Sequence, residues 1–253
     1  YFSSELVQNG NFSELGSELV TNGDFATDSD WTLTQATIIN GAANISTTGS
    51  LAGIVQSGVT TSGKTYKFNI EITNIETLGD GISLTSGGLS SSILHTFTTL
   101  GTHTVYFTAT STTIGIKRKS GATDITIDNV SVKQVDPNDR WTLGTGWSYG
   151  TNKAEKTAGT GSILSQSNVV EANKKYKVSF DVVATAGYID SVFIGGQSEG
   201  TNITASGSYT YIFDTTNVDS LGFNANSSFA GSVTNISVVE VQGDRPRLSY
   251  DIT

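Results

Sequence analysis

The sequence predicts an all-β protein made of two tandem antiparallel β-sandwiches of jelly-roll type. Three observations predict it. Apolar and polar side chains alternate in strand-sized runs, as in Tyr66, Phe68, Ile70 and Ile72, the pattern of a sheet with one face on a core. Turn residues recur at strand-length spacing: Asn40-Gly41, Ser62-Gly63, Gly87-Gly88, Leu100-Gly101, Ser120-Gly121 and Ser206-Gly207. Most of the chain is written twice, so one fold serves two domains. Many short strands at this spacing read as a sandwich, whereas a parallel α/β fold needs helices that are nowhere written.

The elements follow in chain order. Residues 4–25 state one phrase twice, "ELVQNGNF" at 5–12 and "ELVTNGDF" at 18–25. "DSDWTLT" (28–34) then answers "NDRWTLG" (138–144), setting Trp31 against Trp141 at an offset of 110 residues. At that offset Gln56 meets Gln166, and "GKTYKFNIEI" (63–72) meets "NKKYKVSFDV" (173–182). Small turn deletions then shrink the offset. "TSGG" (85–88) matches "FIGG" (193–196), and "LGTHTVYFTAT" (100–110) matches "ASGSYTYIFDT" (205–215). "IGIKRKS" (114–120) matches "LGFNANS" (221–227), and "TIDNVSVKQV" (126–135) matches "SVTNISVVEV" (232–241). The expected division is therefore an N-terminal segment 1–17 carrying a spare strand, a jelly roll at 18–135, a second at 136–242, and a connector at 243–253.

Composition narrows the function. Charged residues are 15% of the chain, against about 25% in an average soluble protein. The net charge of −9 argues against a nucleic-acid partner, which needs clustered Lys and Arg. The one basic cluster, Lys117-Arg118-Lys119, reads as a turn flank. No apolar run approaches the roughly 18 residues of a membrane span. Cys is absent, which excludes disulfides and thiolate metal sites. Met is absent too, so the chain is expected to be a processed product or a piece of a longer polypeptide.

"ELVTNGDFATDSDWT", the "YKFNIEI" strand and the closing "TIDNVSVKQV" resemble the jelly rolls of carbohydrate-binding modules, closely over 18–135 and less completely over 136–241. In this bare tandem form the chain looks like modules of phage tail-fibre and virion-surface proteins, and "DRPRLSYDIT" (244–253) is similar to a fibre connector. The second copy departs by lacking its own opener and by having Thr234-Asn235 where the first has Asp128-Asn129.

Candidate sites follow. A glycosidase needs two acids around a cleft, but the aspartates are scattered in turns and no pair recurs in both copies, so no catalysis is expected. The resemblance implies a structural calcium in the first domain where opener meets final strand, at Asp24 and Asp128, both hard oxygen donors. The alternative is that Asp24 shapes a turn and Asp128 sits at a strand edge; no ion is expected in the second domain. Sugar rings stack on flat aromatics, so Trp147, Tyr149 and Asn152 of "GTGWSYGTNK", with Tyr188, are the carbohydrate-binding candidates. Trp31 and Trp141 share one slot in both copies and read as core.

The resemblance implies a non-enzymatic adhesion or structural protein of a phage virion: a tail fibre, head fibre or decoration protein on the virion surface. Its partners would be other virion proteins, further copies of itself (a trimer being one arrangement) and host glycans. The alternative is a secreted glycan-binding or spacer module at a bacterial cell surface, within a larger protein or glycosidase. The spare phrase at 5–12 is expected to cover a sheet edge of the second domain, of a neighbouring subunit or of an upstream domain, or else to be a remnant of duplication.

Overall fold

The computed structural model describes residues 1–200 and 202–243, so the expected connector lies, from 244 onward, outside the described residues. Every regular element among the described residues is a β-strand. The described residues divide into two compact units, one spanning Leu15–Pro137 and the other Tyr1–Glu14 together with the described residues from Asn138 onward. The first is therefore inserted into the sequence of the second. We call them the inserted domain and the split domain.

The inserted domain runs β1 (Leu15–Glu18), β2 (Thr32–Thr34), β3 (Ala36–Ile39), β4 (Ala42–Thr47), β5 (Gly53–Ser57), β6 (Thr65–Thr77), β7 (Ile82–Ser86), β8 (Ile93–Phe97), β9 (Gly101–Thr108), β10 (Thr113–Arg118) and β11 (Thr123–Val135). One antiparallel sheet has the order β3-β4-β11-β6-β9, with β1 also paired to β11; the other has β2-β5-β10-β7-β8. Alternation builds β6: Phe68 and Ile70 are fully buried, while Lys67, Asn69 and Glu71 point away. Ile54, Leu84, Ile114 and Ile116 of the second sheet join them in one core, which makes a sandwich. Each such side chain contributes about 1.5–3 kcal/mol by leaving water.

The split domain repeats this plan. It runs β12 (Trp141–Leu143), β13 (Trp147–Gly150), β14 (Lys153–Lys156), β15 (Ser162–Val170), β16 (Lys175–Ala186), β17 (Ile189–Ile194), β18 (Gln197–Glu199), β19 (Gly207–Asp214), β20 (Asp219–Ala225) and β21 (Ala230–Glu240). Its sheets have the orders β13-β14-β21-β16-β19 and β12-β15-β20-β17-β18, the same succession strand for strand. Phe180 of one sheet meets Phe223 of the other edge-on, with ring centroids 4.9 Å apart.

The split domain's opener comes from the chain's N-terminus, which changes the expected division: residues 1–14 are not a separate segment. Two sets of bonds coincide. Glu18 accepts from the Val132 amide (2.8 Å) and the Ser131 hydroxyl (2.6 Å). Glu5 accepts from the Val238 amide (2.8 Å) and the Ser237 hydroxyl (2.5 Å). Gln56 brackets the Thr21 backbone at 2.9 and 2.8 Å, as Gln166 brackets that of Gln8 at 2.9 and 2.8 Å. The indole of Trp31 donates to Asn22 O (3.0 Å), and that of Trp141 to Asn9 O (3.1 Å). Phe25 packs on Trp31 and Phe12 on Trp141, with centroids 5.6 and 5.0 Å apart. Phe12 and Phe25 both take a left-handed backbone, φ 55° and 49°, a strain for a bulky residue that burial of the ring offsets.

Residues 5–12 are nonetheless not a ladder strand. They touch β21 through isolated bonds, Leu6 N–H to Val238 O (3.0 Å) and Ile236 N–H to Gly10 O (2.9 Å), and side chains do the rest. The segment is a strap.

Candidate functional site

The expected sugar-binding aromatics do not form a surface. Trp147 and Tyr149 are buried, at 7% and 9% exposure. Along β13 both point inward, with exposed Ser148 between them. The Trp147 indole donates to Ser162 O at 3.4 Å and its ring sits 6.2 Å from that of Phe229. The Tyr149 ring lies 6.2 Å from that of Phe12. Ring faces spent on core contacts cannot stack on a sugar, so both are corrected to core residues. Asn152 is exposed in the β13–β14 turn at φ 56°, and its carbonyl accepts from the Thr234 hydroxyl at 2.6 Å. Tyr188 is half-buried before β17, its amide donating to Asn226 Oδ1 at 3.3 Å.

An aromatic platform lies elsewhere. The β12-β15-β20-β17-β18 sheet turns one row of residues away from the core. Register sets Thr142 beside Ser165, Ser165 beside Gly222, Gly222 beside Phe193 and Phe193 beside Ser198. Val192 and Ile194 are buried in the core, so Phe193 between them must face outward. Its half-exposed ring lies over Gly222, where any Cβ would collide with the ring atoms. The neighbouring row is Ile163, Asn224 and Ser191. Ile163 is 41% exposed, and Asn224 donates to Asp190 at 3.3 Å. This outward face carries Phe193 and, on the neighbouring row, Ile163, among hydroxyls, an amide and a carboxylate.

Asp24 and Asp128 of the inserted domain come near one another. Burial raises the Asp128 carboxyl above its usual range; the Asn129 amide opposes this, and the carboxylates of Glu71 and Asp24 add to the rise. Each acid is occupied by backbone: Asp24 accepts from Ala26 N–H at 3.3 Å and Asp128 from Asn129 N–H at 2.6 Å. Among the described residues no three His, Asp or Glu side chains converge where an ion could be held. The bonds that Asp24 and Asp128 accept are the ones turn-shaping carboxylates make. In the split domain Thr234 stands for Asp128, and its strand partner Asp181, in the place of Glu71, is held below the usual carboxylate range by the Ser208 hydroxyl and the Asn235 amide.

No protein-family model matches the sequence, and no curated protein does. Solved structures of similar fold include the CBM22-1-CBM22-2 tandem domain of Paenibacillus barcinonensis Xyn10C, 7% identical, covering 90% of this chain and 99% of that one at a TM-score of 0.36. The tandem CBM51 modules of a family 98 glycoside hydrolase from Streptococcus pneumoniae are 10% identical, covering 96% and 97% at 0.26. Allantoicase from Saccharomyces cerevisiae is 9% identical, covering 93% and 92% at 0.32. These likenesses are of fold alone.

Proposed function

We propose that this chain is a non-catalytic glycan-binding adhesion module, displayed on a virion or bacterial cell surface, whose sugar-facing surface is the Phe193 patch of the split domain. The observation that carries the reading is the Phe193 ring laid over Gly222, half-exposed, with exposed Ile163 beside it and Ser165, Ser198 and Asn224 around it. A pyranose with equatorial hydroxyls has an apolar face of axial hydrogens. That face packs on an aromatic ring, while flanking hydroxyls and amides take the sugar's hydroxyls. One ring platform gives weak affinity, which repeated display on a particle raises by avidity.

The test is titration with cellohexaose, xylohexaose and laminarihexaose. At least one should bind, and Phe193→Ala should abolish that binding, while Trp147→Ala should act through stability alone. No binding by the wild type, or binding that survives Phe193→Ala, would overturn the reading. Decoration of intact particles or of cells by an antiserum separates the two surfaces.

A further inference from the structure

Both domains place a glycine at the same point of the outward row. Gly115 sits between Val55 and Thr85 as Gly222 sits between Ser165 and Phe193. In the split domain the Phe193 ring fills the space above that glycine. In the inserted domain Thr85 replaces the phenylalanine and the β7–β8 connection, Gly87–Ser92, fills it instead. The Gly87 carbonyl oxygen would lie 2.9 Å from a Cβ on Gly115. The Thr85 hydroxyl sits 3.2–3.3 Å from the carbonyls of Gly87, Gly88 and Gly115.

Leu89 at the loop's tip is 8% exposed. It reaches Gly53, where a Cβ would lie 2.8 Å from its Cδ2. Gly53 pairs with Lys117 as Ile163 pairs with Asn224, so the Leu89 side chain stands in for that of Ile163. Lys117 Nζ donates to Ser91 O at 2.9 Å and pins the loop's far side. As a result Thr85, which points away from the core, has no exposure at all. The corresponding connection in the split domain is the two-residue turn Gly195-Gly196 between β17 and β18.

We infer that Gly87–Ser92 is a built-in plug. It occupies, within the same chain, the place on the inserted domain that the split domain offers to a sugar. Each chain therefore has one glycan face, and the inserted domain is a spacer closed by its own loop. This rests on the glycan reading of Phe193, but the plug itself is testable without any sugar.

The natural chain has no cysteine, so single thiols report access cleanly. In the full chain, Thr85→Cys should react with a maleimide on the order of a hundredfold more slowly than Phe193→Cys, as a site exposed only by local opening does. Replacing residues 87–92 by Gly-Gly, or the milder Leu89→Ser, should bring the Thr85→Cys rate toward that of Phe193→Cys. Equal rates with the loop intact would overturn the plug, as would a Thr85→Cys rate indifferent to both loop changes. Titration of the wild type should give one site per chain for whichever of the three hexasaccharides binds; two sites would also overturn it. If none binds, the glycan reading fails and the thiol rates alone decide the plug.

Discussion

Phe12→Ala should unfold the split domain early and leave the packing of the inserted domain unchanged. Phe12 is 2% exposed and packs against Trp141 and Tyr149, with centroids 5.0 and 6.2 Å away. Truncating a buried phenylalanine costs about 3–5 kcal/mol in lost transfer energy and cavity. The left-handed backbone at φ 55° strains alanine as it strains phenylalanine, so that cost cancels. For a domain of this size each kcal/mol moves the midpoint by roughly 3 °C, giving a drop of about 10–15 °C. The assay is calorimetry of the full chain, with Phe25→Ala identifying the inserted domain's transition. A Phe12→Ala variant that leaves both transitions in place would refute the assignment of the strap to the split domain's core. So would one that lowers the transition Phe25→Ala brings first and leaves the other in place.

Two electrostatic predictions accompany it. The Asp128 carboxyl is raised by burial and by its acidic neighbours, so its ionisation costs stability as pH climbs from 3.8 through the raised value; Asp128→Asn should raise the midpoint at neutral pH and be nearly silent below that window, and millimolar calcium should shift neither protein. Lys156, 3% exposed, stands where the inserted domain has Ile45, and burial lowers its ammonium from 10.5. The folded state thus binds fewer protons, and stability should rise as pH goes from the lowered value toward 10.5. Lys156→Met should remove that rise and stabilise the neutral-pH protein, both readable in urea midpoints against pH.

The repeat and the strands were legible because they rest on local signals. Alternation in Tyr66–Ile72 and Tyr176–Val182 sets the face each residue takes, and matching turns set the strand order twice. The strap's destination was not legible. Glu5 meets Val238 across nearly the whole chain, and the matching slot of the second copy is already filled by the first copy's last strand. The inward aromatics were open to the same parity argument that served β6: Trp147 and Tyr149 alternate with Ser148 and belong on one face. Phe193 carried the converse signal, an aromatic out of step with Val192 and Ile194. What no sequence pattern supplies is the register that sets Gly222 under its ring, or the fold of Gly87–Ser92 back across Gly115, since both depend on strands paired at long range.

The insertion is tolerated because its two ends meet. Leu15 and Val135 are direct partners in the β1–β11 pairing, so the inserted domain leaves the chain where it entered. The split domain clamps its own gap with one residue: Glu14 accepts from Asn138 Nδ2 at 2.7 Å and from Arg140 Nε at 3.1 Å. While the insert is folded, the split domain sees a short connection. Once the insert unfolds, the same gap is spanned by a loop of about 120 residues, and closing it costs up to about 3–4 kcal/mol more. Linkage makes the coupling mutual: a folded split domain holds the ends of the insert together and stabilises it by the same closure cost. Phe25→Ala, by melting the inserted domain first, should pull the split domain's transition down by as much as that closure cost, although no residue of the split domain has changed. Phe12→Ala, where it melts the split domain first, should leave the insert to unfold with free ends and so without that closure contribution. A split-domain transition that stays fixed while Phe25→Ala melts the insert below it would show that loop closure is not what links the two.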